Sequence, residues 1–169
     1  MAHALTIWQP WATLIMIGAK PYEFRKWAAP GSHVGDWIVI HAGARSVKLE
    51  EVEDLLLRLG GTDDGTGLRE DIARPFLAGL FSRMTSGHSR SAGRTVLPLA
   101  AGLGTAVLGN PRRATAIFSG GDSTRVDHHV WAWPLSDVQT FAEPIPARGA
   151  QGFWPWMPEI FEAVAGATP

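Results

Sequence analysis

The chain has 169 residues, 46% of them hydrophobic, a formal net charge of −1 and no cysteine. That is enough apolar material for one domain with a core, and the missing cysteines exclude disulfides, zinc–thiolate sites and thiol nucleophiles. The near-neutral charge excludes a chain-wide basic field for nucleic acid, so any such binding has to be local.

In chain order, "LTIW" predicts a short strand, and Pro10 suits the first turn of a helix through "WATLIMI", where its missing N–H costs nothing. Gly18 closes that helix. "YEFRKW" then alternates, which predicts a strand with Tyr22 and Phe24 on one face and Glu23 and Arg25 on the other. "GDWIVIHA" is a nearly continuous branched apolar run, the pattern of a central strand. Over 47–59 the residues Val47, Val52, Leu55, Leu56 and Leu59 recur at helical spacing, ended by Gly60 and Gly61. "LREDIARPFLAGLF" is a second helical pattern, which Pro75 is expected to kink or divide. Residues 82–94, "SRMTSGHSRSAGR", are small, polar and basic and are expected to form a mobile loop. The stretch 46–95 thus reads as a helical and loop insertion.

"TVLPLAAGLGTAVLGN" follows as a glycine-interrupted strand or pair of strands. "RRATAIF" and "HVWAWPL" are expected to be strands, "VQTFAEPIPA" a proline-limited edge strand, and "WMPEIF" the start of a short helix. Four of the eight tryptophans, Trp8, Trp11, Trp27 and Trp37, lie early in the chain. The others, Trp131, Trp133, Trp154 and Trp156, lie late, so the two ends are expected to pack together. Strands around a helical middle favour an α+β fold, a small barrel within a single domain over 1–169, rather than a doubly wound sheet. No apolar run reaches the roughly twenty residues of a membrane helix, and "MAHALTIWQPW" lacks the basic start of a signal peptide. A cytoplasmic protein with no membrane partner is expected.

The chemistry-bearing residues are few. His128 and His129 are adjacent and would face opposite sides of a strand, and nothing in the sequence calls for a metal or cofactor. "GLGTAVLG" and "GTDDGTG" lack the ending of a phosphate loop, and no serine elbow is present. Arg83, His88, Arg90, Arg94, Arg112 and Arg113 could hold a phosphate backbone or only solubilise their loops. His41 ends a core strand and is either a satisfied polar residue or part of a cleft rim. Lys20, Glu23 and Arg25 converge within one short element. If that face looks into a cleft, the carboxylate needs a cationic partner; on an open surface the trio needs nothing.

"LTIWQPWATLIMIGAKPYEFRKW" resembles the opening of the ASCH family, a branch of the PUA-like β-barrels, whose G-x-K-x-x-E-x-R element is filled here by Gly18, Lys20, Glu23 and Arg25. "GDWIVIHAGAR" is similar to the next strand of the family, ending at His41 and Arg45. Later, "VWAWPLSDVQTFAEPIPARGAQGFW" resembles its closing strands, with Arg148, Gly149, Gly152, Phe153 and Trp154 in the final segment. The resemblance covers 5–45 and 97–154. It implies a small PUA-like β-barrel with flanking helices, the helical insertion lying between the two stretches. It also implies a charged cleft for single-stranded RNA or a modified nucleoside, with Gln9, Trp11, Lys20, Arg25, His41, Arg45, Arg148 and Trp154 as ligand contacts and Lys20 and Glu23 as candidate catalytic groups. Some relatives are amidohydrolases acting on acylated cytidine through a threonine three residues after the lysine. Here Glu23 stands at that position, and glutamate does not replace a threonine alkoxide in acyl transfer. A metal-independent ribonuclease is the easier enzymatic alternative.

Overall fold

In the computed structural model, which describes residues 2–61, 66–86, 96–117 and 131–157, the chain opens with β1 (His3–Ile7), α1 (Trp11–Met16), β2 (Tyr22–Arg25) and β3 (Trp37–Ala42). This is the strand, helix, strand, strand order expected from the first 42 residues. α2 (Leu49–Leu59) and α3 (Glu70–Thr85) follow, then β4 (Ala101–Leu108), β5 (Arg112–Arg113), β6 (Trp131–Pro146) and β7 (Phe153–Pro155). Among the described residues the strands form one mixed sheet in the order β2-β6-β4-β3-β1-β7, with β5 alongside β6. The sheet curls into a half-barrel flanked by three helices, an α+β fold consistent with a PUA-like barrel.

β3 is central, as its apolar run predicts: it pairs parallel with β1 and antiparallel with β4. Leu5, Ile7, Ile38, Ile40, Ala106 and Leu108 bury their side chains in the concavity, together with Trp133. Burying each of these leucines and isoleucines contributes about 1.5–3 kcal/mol. A second cluster joins Leu14 and Ala19 to Val52, Leu55, Ala73, Leu77 and Leu80 and seats α2 and α3 against the outside of α1. The two ends of the chain meet, as the tryptophan distribution suggests. β7 pairs with β1, Phe153 stacks on Trp133 at 5.6 Å between ring centroids, and Trp27 packs edge-on against Trp133 at 4.6 Å.

Four expectations change. Pro75 does not divide its helix: α3 runs unbroken through it. Ser82 and Arg83 belong to the same helix, which continues to Thr85; the remainder of the basic loop, 87–94, lies outside the described residues, as do His128, His129 and the expected tail helix from 158 onward. Of "RRATAIF", only Arg112 and Arg113 are strand, and Ala114–Ala116 tighten into a 3₁₀ turn. The two strands expected around "WAWPLSDVQTFAEPIP" are one strand of 16 residues, and it is no edge, since β2, β4 and β5 all pair with it. Its register against β4 shifts twice. The first shift surrounds Asp137, whose φ is 50°, and the second takes up the stretch that contains Pro144. A bulge leaves a residue out of the ladder, so proline and a left-handed residue are tolerated there without ending the strand.

Candidate functional site

Lys20 is placed by the way α1 ends. Gly18 adopts φ 77°, a left-handed conformation that glycine takes without a Cβ penalty. The N–H groups of Ala19 and Lys20 then both donate to the Leu14 carbonyl, at 2.9 and 3.0 Å. This turn sends the chain straight into β2, whose pairing of Glu23 with Trp133 and Arg25 with Trp131 fixes where the charged side chains stand.

Glu23 is buried, with one oxygen on each of two cations. Its Oε2 accepts from Lys20 Nζ at 2.8 Å, and its Oε1 lies 2.9 Å from Arg25 Nε. Lys20 Nζ also donates to the Tyr22 carbonyl and lies 5.1 Å from the Phe24 ring and 5.8 Å from the Trp11 ring. Burial pushes the Lys20 ammonium below its ordinary pKa. The Glu23 charge and hydrogen bond pull it back up, and the neighbouring Arg25 charge adds to the lowering.

The trio sits at the seam of the half-barrel. β7 pairs with β1 only from His3 to Leu5, so the next carbonyl on that edge, Thr6, has no strand partner there. Arg25 Nη2 donates to it at 3.0 Å, tying the β2 edge to the β1 edge through a side chain. Above this tie opens a cavity of about 310 Å³ lined by Thr6, Ile7, Trp8, Trp11, Glu23, Phe24 and Arg25, at the lower end of the roughly 300–1,000 Å³ of small-molecule pockets. Lys20 lies beneath it, bonded to Glu23, and is not part of the lining.

On the other side of β1, Thr6 uses its hydroxyl. The Trp154 Nε1–H donates to Thr6 Oγ1 at 3.1 Å, and Thr6 Oγ1 lies 3.3 Å from His41 Nδ1. His41 Nε2 lies 2.9 Å from the Ala147 carbonyl. A carbonyl only accepts, so Nε2 carries the hydrogen, and Nδ1 is left to accept from the Thr6 hydroxyl. His41 is fully buried. Burial lowers its pKa, opposed by the bond to Ala147, so the neutral ring is the form that this network holds. Gly149 closes over it, where an added Cβ would stand 2.7 Å from His41 Cε1 and 2.8 Å from Thr6 Oγ1.

The residues expected to form one site therefore separate. Trp11, Glu23 and Arg25 share the cavity wall with Lys20 below them. Gln9 is buried with both ends of its amide engaged: Oε1 accepts from the Thr13 N–H and hydroxyl, and Nε2 donates to the Pro98 carbonyl. His41 and Trp154 lie in the Thr6 network, and Arg148 is exposed beyond it. Arg45 lies over Trp8, its guanidinium carbon 4.3 Å from the ring centroid, and pairs with Glu51 at 2.7 Å. Burial works against the Glu51 carboxylate, but hydrogen bonds from Arg45 and the Lys48 N–H, with the charges of both residues, outweigh it and hold the carboxyl below its ordinary pKa. Sequence reasoning missed Thr6 and Trp8. Both belong to "LTIWQPW", and the alternation of that strand was the signal, since Thr6 and Trp8 share a side opposite Leu5 and Ile7.

No group of three or more His, Asp or Glu side chains among the described residues could hold a metal ion, and no described helix is long and apolar enough to cross a membrane. The curled mixed sheet with its charged seam is a half-barrel consistent with a PUA-like barrel. Within it, residues 5–76 match the ASCH domain family model, the family that the motifs resemble. The match runs from β1 into α3, further than the first stretch of motifs, and includes α2. ASCH domains are PUA-like domains generally associated with RNA binding. No curated protein matches the chain in sequence.

Proposed function

We propose that the chain binds single-stranded RNA or a modified nucleoside in the seam between β1 and β2, in the cytoplasm, and that it binds without turnover. The observation that carries this reading is the buried carboxylate of Glu23 held between Lys20 and Arg25 at the floor of an aromatic-walled cavity. The arrangement presents a cationic guanidinium next to Trp8 and Trp11, the combination by which single-stranded nucleic acid is gripped, phosphate on the charge and base on the ring. Arg25 is partly exposed, and none of its contacts with the described residues uses Nη1, which leaves that nitrogen for a phosphate oxygen.

The same geometry argues against catalysis. A general base has to reach a substrate proton, yet both oxygens of Glu23 face the cations beside it. His41 is turned into the Thr6 network, away from the cavity lining. Glu23 in place of threonine removes the acyl-transfer nucleophile as well.

The test is fluorescence anisotropy with a labelled single-stranded oligoribonucleotide across a salt series. Binding should weaken with salt. Arg25→Gln should lower affinity about tenfold or more and reduce the slope of log K against log salt by about 0.7 if one phosphate contact is lost. RNA that fails to bind, or binds Arg25→Gln equally well, contradicts the reading; RNA shortened by the wild type but not by Glu23→Gln would replace it with a nuclease.

A further inference from the structure

We propose that Trp8 is the stacking platform for a single nucleobase, and that Glu51, which lies outside the cavity on α2, is a positioning residue that readies this platform through Arg45. The proposal rests on the reading of the seam as a nucleotide site and names how that site takes the base.

Three rings line the cavity, and they are not equivalent. Trp11 and Phe24 are half-buried in the protein, whereas Trp8 is 58% exposed. An exposed tryptophan ordinarily samples several rotamers, and holding it still on binding costs affinity. Trp8 is held beforehand. Its edge rests on the backbone at Gly43, where an added Cβ would stand 3.0 Å from its Cδ1. One face is covered by the Arg45 guanidinium at 4.3 Å. Arg45 is fixed in turn, because its Nη2 donates to Glu51 Oε1 at 2.7 Å. The other oxygen of Glu51 accepts the Lys48 N–H at 3.0 Å, so the carboxylate is anchored on the first turn of α2. A rigid helix thus orients an indole through two side chains.

Arg45 is not part of the cavity lining, and Trp8 is. In this proposal the guanidinium backs one face of the indole and the opposite face takes one base, with Arg25 in the same cavity lining to take the phosphate. Arg45 then supports the ring that meets the ligand rather than meeting the ligand itself, and its planar fork suits both tasks, stacking on the indole and bonding the carboxylate.

The experiment compares a short single-stranded oligoribonucleotide with the same oligomer carrying abasic sugars, titrated into the wild type, Trp8→Ala, Glu51→Gln and Arg25→Gln. The wild type is expected to prefer the base-bearing oligomer, and Trp8→Ala should lower its affinity for that oligomer by about 5- to 150-fold. Affinity of Trp8→Ala for the abasic oligomer should stay within twofold of the wild type, roughly the scatter of independent sites. Glu51→Gln should reproduce the same base-selective loss at about 2- to 5-fold. A Glu51 that only stabilised α2 would move both oligomers together or neither. If both oligomers bind, depend on Arg25 and ignore Trp8→Ala and Glu51→Gln, the stacking proposal is overturned while the seam stands as the RNA site. If neither oligomer binds the wild type, the underlying reading of the seam falls, and this proposal with it.

Discussion

The charged trio at the entry to β2 and the histidine network behind β1 meet at one residue, Thr6, and treat burial in opposite ways. The trio brings ionic groups into the seam and keeps them paired: Lys20 and Arg25 share Glu23, and Arg25 reaches on to the Thr6 carbonyl. The network brings in no charge at all. His41 stays neutral, and a directed chain of hydrogen bonds runs from Trp154 through the Thr6 hydroxyl to His41 and on to Ala147. Taking an ion out of water costs several kcal/mol even after relaxation, a cost that is justified where charge has a task. A neutral network costs far less and serves to fix geometry. On the proposed reading the ionic half is the one that meets ligand, while the neutral half holds β1, β3 and the segment before β7 in place.

Breaking the trio should have the largest effect on stability. Glu23→Leu leaves Lys20 buried beside Arg25 with no anion between them, and a loss of about 3–5 kcal/mol is expected in urea unfolding. The double variant Lys20→Met with Glu23→Leu should recover much of that loss, because it removes the buried ammonium and leaves only the partly exposed Arg25 without its carboxylate. A double variant as unstable as the single one would mean that shape rather than charge was lost.

Breaking the network should cost somewhat less and leave binding alone. His41→Leu strands the Ala147 carbonyl and the Thr6 hydroxyl, for an expected loss of about 2–4 kcal/mol. Gly149→Ala forces a Cβ against His41 and Thr6 and should cost about 1–3 kcal/mol. Neither should shift RNA affinity once the protein is folded; a parallel loss of affinity in both would join the two regions into one site.

Acid should separate the regions more gently. The folded His41 value lies below the ordinary 6.5, so on acidification the unfolded chain takes up the proton first. The contribution of the neutral ring is complete above 6.5 and is lost as the pH falls below it, with a slope of up to about 1.4 kcal/mol per pH unit. Urea midpoints measured on either side of that value should show the fall, and His41→Gln, which has no titrating ring, should flatten it.

Much of this architecture was legible in the residues. The order of the first four elements follows from Pro10, Gly18 and the change from helical to alternating spacing at Tyr22. The amphipathic pattern of 47–59 gives α2, and the "GDWIVIHA" run gives the central strand. β6 was not legible as one strand, because Pro134, Pro144 and Pro146 read as terminators in a sequence, while in the sheet two bulges absorb the irregularity. Pro75, read as kinking or dividing its helix, does not divide it, the helix being held by packing of Ala73, Leu77 and Leu80. For the site, the spacing of Lys20, Glu23 and Arg25 announced a cluster but not its burial, which depends on the β1 edge closing over it. The resemblance offered Gln9 and His41 as ligand contacts; that both are buried and hydrogen-bonded inside the protein depends on partners distant in sequence, Pro98 and Ala147, which the motifs do not reveal. Thr6 was overlooked because its importance lies in two contacts with residues far away in sequence.

The central claim, that RNA is held by the trio's side of Thr6, is tested most directly by titrating one single-stranded oligoribonucleotide into the wild type, Arg25→Gln and His41→Gln under identical salt. The expected result is an affinity loss of about tenfold or more for Arg25→Gln and wild-type affinity for His41→Gln. Equal affinity in Arg25→Gln, or a loss confined to His41→Gln, would contradict it.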